Sequence, residues 1–186
     1  LELLLEHSTA DLAYEECLGV SYHDLHQDPD TAIADIVTRY HAVAERCDAV
    51  VIVGSDYTDV ASPSELGTNG RIAVNLGAPV LLTIKGFERT PAEIAALTEV
   101  CLGELRAQKA HPAAIVANRC NPDQLDEVRD ALRRFDKPAW VLPEVPLLVA
   151  PAVEELMRAV DGTLVSGDEA LLNREATSFM VAGMTA

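Results

Sequence analysis

Aromatic side chains are scarce in this chain: Phe, Trp and Tyr make up 4% of its 186 residues, while hydrophobic residues reach 49%. A core built under that restriction must be assembled from Val, Leu, Ile and Ala, the usual filling of helix-covered parallel sheets. Basic residues are also few. Lys plus Arg is 14 against 30 Asp plus Glu, a formal net charge of −16. That balance repels phosphate backbones, so nucleic acid is excluded as an expected partner. An anionic metabolite would need a local positive patch or helix N-termini to overcome the same field. The four cysteines, Cys17, Cys47, Cys101 and Cys120, are far apart and form no C-x-x-C. Three of them sit in apolar or helical contexts, as expected for buried thiols in a reducing cytoplasm. No apolar run approaches a membrane span and no signal peptide is visible, so no membrane partner is expected. No G-x-x-x-x-G-K-[ST] phosphate loop occurs anywhere.

What is present is one domain's length of chain with regular punctuation. Residues 47–59, CDAVVIVGSDYTD, place a continuous apolar run, Ala49 to Val53, before a polar loop carrying Gly54, Ser55, Asp56, Tyr57 and Asp59. Such a run predicts a strand buried on both faces, and on that basis Val51→Asp is expected to unfold the domain. Four helix starts share one pattern of cap, proline and acid or amide: Asp28-Pro29, Ser62-Pro63, Thr90-Pro91 and Asn121-Pro122. The first predicts a helix whose stripe runs from Ile33 through Val37 and Tyr40 to Cys47. The second predicts a helix to Leu76 closed by a left-handed Gly77. Strands follow at Pro79 to Ile84, Ala113 to Ala117 and Ala139 to Leu142. Helices are expected at Pro91 to about Lys109, Pro122 to Arg134 and Pro151 to Val160. A short strand near Thr163 to Val165 precedes a last helix start at Gly167. This alternation predicts an α/β fold, a mostly parallel sheet with helices on both faces.

Two loops lie where open α/β sheets bind ligands, beyond the carboxyl ends of strands. In the first, Asp56 would orient a metal-bound water or a ligand hydroxyl, and Tyr57 would wall the site. The same residues also suit a plain turn whose Asp and Ser bond their own backbone. In the second, Asn118 could read an amide-like edge such as a purine base, and Arg119 could meet a carboxylate or phosphate. Alternatively Asn118 closes the strand and Arg119 is solvated. His23 and His26 share a helical spacing but lack further ligands, so no metal is expected. Cys17 has no suitable histidine and Ser55 lacks a G-x-S-x-G elbow, so no catalytic residue is named. The acids from 123 to 136 alternate with Arg129, Arg133 and Arg134 as a solvated, ion-paired face.

The strings CDAVVIVGSDYTDVASPSELGTNGRIAVNLGAPVLL, RTPAEIAAL, AAIVANRCNPDQL and VLPEVPLLVAPAVEEL, in that order, resemble the N-terminal domain of long-form bacterial phosphate acetyltransferases. That resemblance implies a P-loop NTPase-like, dethiobiotin-synthetase-like domain over residues 1–166. Residues 167–186 would begin a DRTGG-type middle domain. The first strand and phosphate loop would be missing from this chain, which starts at Leu1 inside an apolar run and is expected to be cut from a longer protein. The same likeness implies a regulatory or assembly role, a homo-oligomer, and contact with the protein's own C-terminal catalytic domain, the part that uses coenzyme A. The partners expected of this piece are small-molecule metabolites, with a nucleotide or metabolite effector and no certain cofactor. By the ligase analogy, Gly54, Ser55 and Asp56 take the place of the second acidic motif, although Val53 stands where relatives often have Glu. Asn118 and Arg119 take the base-recognition place. An ATP-dependent ligase deprived of its phosphate loop is the alternative.

Overall fold

The computed structural model describes residue 5, residue 8, residues 10–54 and residues 64–180. Two short helices, α1 (Tyr14–Cys17) and α2 (Tyr22–Gln27), lead into α3 (Pro29–Ala44). The Asp28 carboxylate accepts the Thr31 N–H at 3.3 Å, and Pro29 occupies the first turn, where an N–H would have no acceptor. Next comes α4 (Ser64–Leu76), which closes at Gly77 with a left-handed φ of 61°. The order then runs β1 (Val80–Lys85), α5 (Pro91–Ala107), β2 (Pro112–Cys120), α6 (Leu125–Leu132), β3 (Ala139–Pro143) and α7 (Val153–Ala159). Short 3-10 turns, Pro122–Gln124 and Arg133–Phe135, flank α6. Reciprocal capping starts α5: Thr90 Oγ1 accepts the Glu93 N–H at 3.3 Å, and Glu93 Oε2 accepts the Thr90 N–H at 2.8 Å.

The strands are parallel in the order β1-β2-β3. Two crossovers stepping the same way across a sheet lay both helices on one face. There Leu82, Ile84, Ile115, Ala117 and Val141 pack with Ile94, Leu102 and Leu105 of α5 and Val128 and Leu132 of α6. Leu105, Ile115 and Leu132 are wholly buried, each contributing about 1.5–3 kcal/mol of transfer free energy. Strand alternation sends Leu81, Thr83, Trp140 and Leu142 to the other face, where Leu81 is 59% and Trp140 54% exposed. Among the described residues, helices therefore flank one face of the sheet, whereas the sequence pattern predicts both.

Other differences are local. Residues 49–53 form no strand, and Val51 is 90% exposed. An unbroken apolar run signals burial only if neighbouring strands receive it, and no described strand pairs with this one. The expectation that Val51→Asp unfolds the domain loses its premise. Residues 163–165 are likewise not a strand, and the last helix start yields only a 3-10 turn, Glu169–Leu171, capped by Asp168. The helix after Pro29 stops at Ala44, short of Cys47. Beyond α7 the chain returns: Ala152 bridges Glu175 in antiparallel fashion, Val153 N–H donates to Arg174 O at 3.0 Å, and Ala176 N–H to Pro151 O at 2.9 Å. Cys101 and Cys120 are buried free thiols, while Cys17 and Cys47 are half-buried. Among the described residues no helix is long and apolar enough to cross a membrane.

Candidate functional site

The carboxyl ends of β1, β2 and β3 meet at one corner of the molecule. Strand β2 ends in Asn118, Arg119 and Cys120, with Asn118 in register with Lys85 at the end of β1. The strand ends are fastened by backbone bonds: Gly86 N–H donates to Asn118 O at 2.6 Å, and Glu144 N–H donates to Cys120 O at 2.8 Å. Gly86 is required by close approach. A Cβ built there would lie 2.5 Å from Cys120 Sγ and 3.1 Å from its Cα.

Arg119 is the unusual member. Its φ of 60° is left-handed, a conformation costing a non-glycine residue about 1–2 kcal/mol. Several contacts oppose that cost. Arg119 Nε donates to Glu144 Oε2 at 2.7 Å and Nη2 to Oε1 at 3.0 Å, the planar two-point pairing that favours arginine over lysine. The guanidinium carbon also lies 4.8 Å from the Phe87 ring centroid, within cation–π range. Hydrogen bonding from Arg119, reinforced by its charge, holds the Glu144 carboxyl below the usual glutamate range. The same bond raises the Arg119 pKa. Burial pushes the Cys120 thiol up, so it is a packing group rather than a nucleophile.

Asn118 is engaged by its own neighbour. Its Oδ1 accepts the Arg119 N–H at 2.9 Å, and among the described residues its Nδ2 makes no hydrogen bond. The plainer alternative for this pair needs revision: β2 runs on through Asn118 and Arg119 to Cys120, so both residues lie in the strand rather than on a loop beyond it, and Arg119 is ion-paired rather than solvated. Lys85 has no salt bridge among the described residues, and Arg89 Nη1 donates only to Lys85 O, at 2.7 Å. Lys85 therefore stands, without a salt bridge among the described residues, near a pair that is neutral overall, while Arg89 shares its charge with the Glu93 carboxylate. This is the local positive charge that an anionic ligand needs in a chain of net charge −16.

Of the other predicted site residues, Ser55, Asp56 and Tyr57 lie outside the described residues, as do Asp59 and the Ser62 cap. Gly54 is described and abuts α4: a Cβ there would fall 2.9 Å from the Asn69 side chain. No hydrogen bond or ring contact among the described residues joins Gly54 to Asn118 or Arg119. His23 is exposed, the His26 side chain is outside the description, and no metal-binding cluster occurs among the described residues. The ion-paired face is as expected in Asp126–Arg129 and Asp130–Arg133, while Arg134 reaches Glu99 on α5 at 3.0 Å. Sequence reasoning missed Glu144, Phe87 and Gly86. The signal for them was position, since Gly86 and Phe87 follow the end of β1 and Glu144 follows β3. Among the described residues, open clefts lie elsewhere, of about 440 Å³ between α3 and α4 around Ile33 and Arg71 and of about 620 Å³ between α2 and α3 around Asp24 and Arg39.

Comparison with known proteins gives three results. A family described as "AAA domain" matches residues 11–155. The phosphate acetyltransferase of Synechocystis sp. is 24% identical over 180 residues, 92% of this chain and 26% of that protein. The phosphate acetyltransferase of Nitratidesulfovibrio vulgaris is 24% identical over 179 residues, 90% of this chain and 25% of that protein. The chain thus spans about a quarter of the length of the curated relatives it matches. No solved structure matches it significantly.

Proposed function

The chain belongs to the AAA domain family, and from that membership we propose that it is a regulatory and assembly domain of a phosphate acetyltransferase. In this reading it does not itself transfer acetyl groups between coenzyme A and phosphate. It binds a small anionic metabolite or nucleotide beyond the strand ends and passes that occupancy to the rest of the protein. The supporting observation is the corner just described, where three adjacent parallel strands end together around Asn118, Lys85 and Arg119. Ser55, Asp56 and Tyr57 are assigned to the same site by the ligase analogy, with Gly54 leading into them.

Calorimetry with ATP, NADH, pyruvate and acetyl-CoA tests the reading directly. At least one should bind, and Asn118→Ala and Asp56→Ala should each weaken that binding about tenfold without unfolding the domain. Heat from none of the four, together with an unchanged oligomeric state of the whole acetyltransferase after deletion of this domain, would overturn it. The alternative is an ATP-dependent, dethiobiotin-synthetase-like ligase, favoured by the AAA domain match. Turnover of ATP in the presence of a diamine and bicarbonate would establish that reading instead.

A further inference from the structure

We propose that the Arg119–Glu144 pair is a latch: it fastens an arm, residues 145–180, to the sheet, and an anionic ligand drawn to Arg119 loosens that fastening. The second half of the inference rests on the reading of this corner as an anion site, and the first half does not. The arm has no core of its own. None of residues 142–180 is buried, and among the described residues neither hydrophobic cluster reaches beyond Val141. Leu148 is 83% and Val165 95% exposed. The arm is nonetheless tied together internally. Glu154 N–H donates to Leu172 O at 2.9 Å, alongside the Val153–Arg174 and Ala176–Pro151 bonds, so α7 and residues 172–176 form one piece.

Among the described residues, no hydrogen bond or ion pair joins residues 145–180 to the rest of the chain. The attachment runs through Glu144. Its N–H donates to Cys120 O at 2.8 Å, which pins one point. Its carboxylate reaches sideways to Arg119 on β2 at 2.7 and 3.0 Å, and that planar two-point bond sets the direction in which the chain leaves the sheet. Phe87 backs the guanidinium at 4.8 Å. A segment without buried side chains, held at one residue, lies at the low end of local stability, so losing the pair frees it while the core stays folded. The Arg119 side chain is 34% exposed, within reach of an incoming anion. A carboxylate or phosphate placed there shares the donors with Glu144 and repels its carboxylate. Binding and latching therefore oppose each other, and by linkage each weakens the other by the same factor.

The test is made first without ligand and then with it. In nitrogen-15 spectra of the whole chain, Arg119 Nε–H should be a protected signal that Glu144→Gln abolishes. In the same variant the heteronuclear NOEs of the Leu148, Leu156 and Leu171 amides should fall, while those of Leu105 and Ile115 in the core stay unchanged. Arg119→Lys should reproduce this, since an ammonium cannot make the planar two-point bond. An arm that stays ordered when the Arg119 signal is lost overturns the latch. Should Glu144→Gln fail to fold, Arg119→Gly, which suits the left-handed backbone, breaks the pair from the other side and poses the same question. ATP, NADH, pyruvate and acetyl-CoA are then titrated into wild type and Glu144→Gln. The one that binds should bind the variant about tenfold more tightly and should loosen the arm of the wild type. Equal or weaker binding by the variant overturns the competition. Binding by none of the four overturns the anion-site reading and the competition with it, and the ligand-free spectra still judge the latch separately.

Discussion

At Arg119 two opposed contributions can be separated by substitution. Arg119→Ala keeps the left-handed strain and leaves the Glu144 carboxylate without its partner, so it should be destabilising. Arg119→Gly loses the same contacts but relaxes the backbone, so it should be more stable than the alanine variant by about 1 kcal/mol. Urea denaturation of the two proteins checks the order, and a glycine variant no more stable than alanine would show that the backbone is not strained. The sign of the pH response follows from the same pair. Glu144 has a folded-state pKa held down by Arg119, so its contribution is complete above the ordinary glutamate pKa. It is lost as pH falls through the depressed value. The Arg119 Nε–H signal should therefore persist at neutral pH and disappear only on acidification below the usual glutamate range.

Helix punctuation was legible from sequence because it is local. Thr90-Pro91-Ala92-Glu93 carries its whole argument in four residues, and both reciprocal bonds are present in the structure. Thr90→Ala should accordingly cost about 1 kcal/mol, read as a lowered thermal midpoint, with the α5–sheet core otherwise unchanged. Strands β1, β2 and β3 were legible for a similar reason, each being a short β-branched or apolar run between turn signals. The site was only partly legible. Asn118 and Arg119 were found from their place at a strand end, but the bond that defines Arg119 spans 25 positions to Glu144. Nothing local to either residue specifies that pairing. The left-handed φ was equally silent, since arginine carries none of the glycine or asparagine signal that usually marks such a turn.

For the molecule as a whole, the failure at residues 49–53 is instructive. Their composition is that of a buried strand, yet burial is a property of the partners as much as of the run itself. With Val51 90% exposed, Val51→Asp should change the stability of this chain by no more than about 0.5 kcal/mol, measured by denaturation. A large loss would mean that the run is covered in solution. The mismatch has the same character as the sheet face carrying Leu81, Trp140 and Leu142. Parallel sheets are ordinarily enclosed on both sides, and among the described residues helices enclose one.

That bare face happens to hold the chain's single tryptophan, Trp140, which is 54% exposed. An indole in contact with water emits at longer wavelength and is open to quenching by iodide or acrylamide. Trp140 is therefore a built-in optical gauge: whatever settles on that side of the strands will shift its fluorescence to the blue and shield it from the quencher, with no label attached.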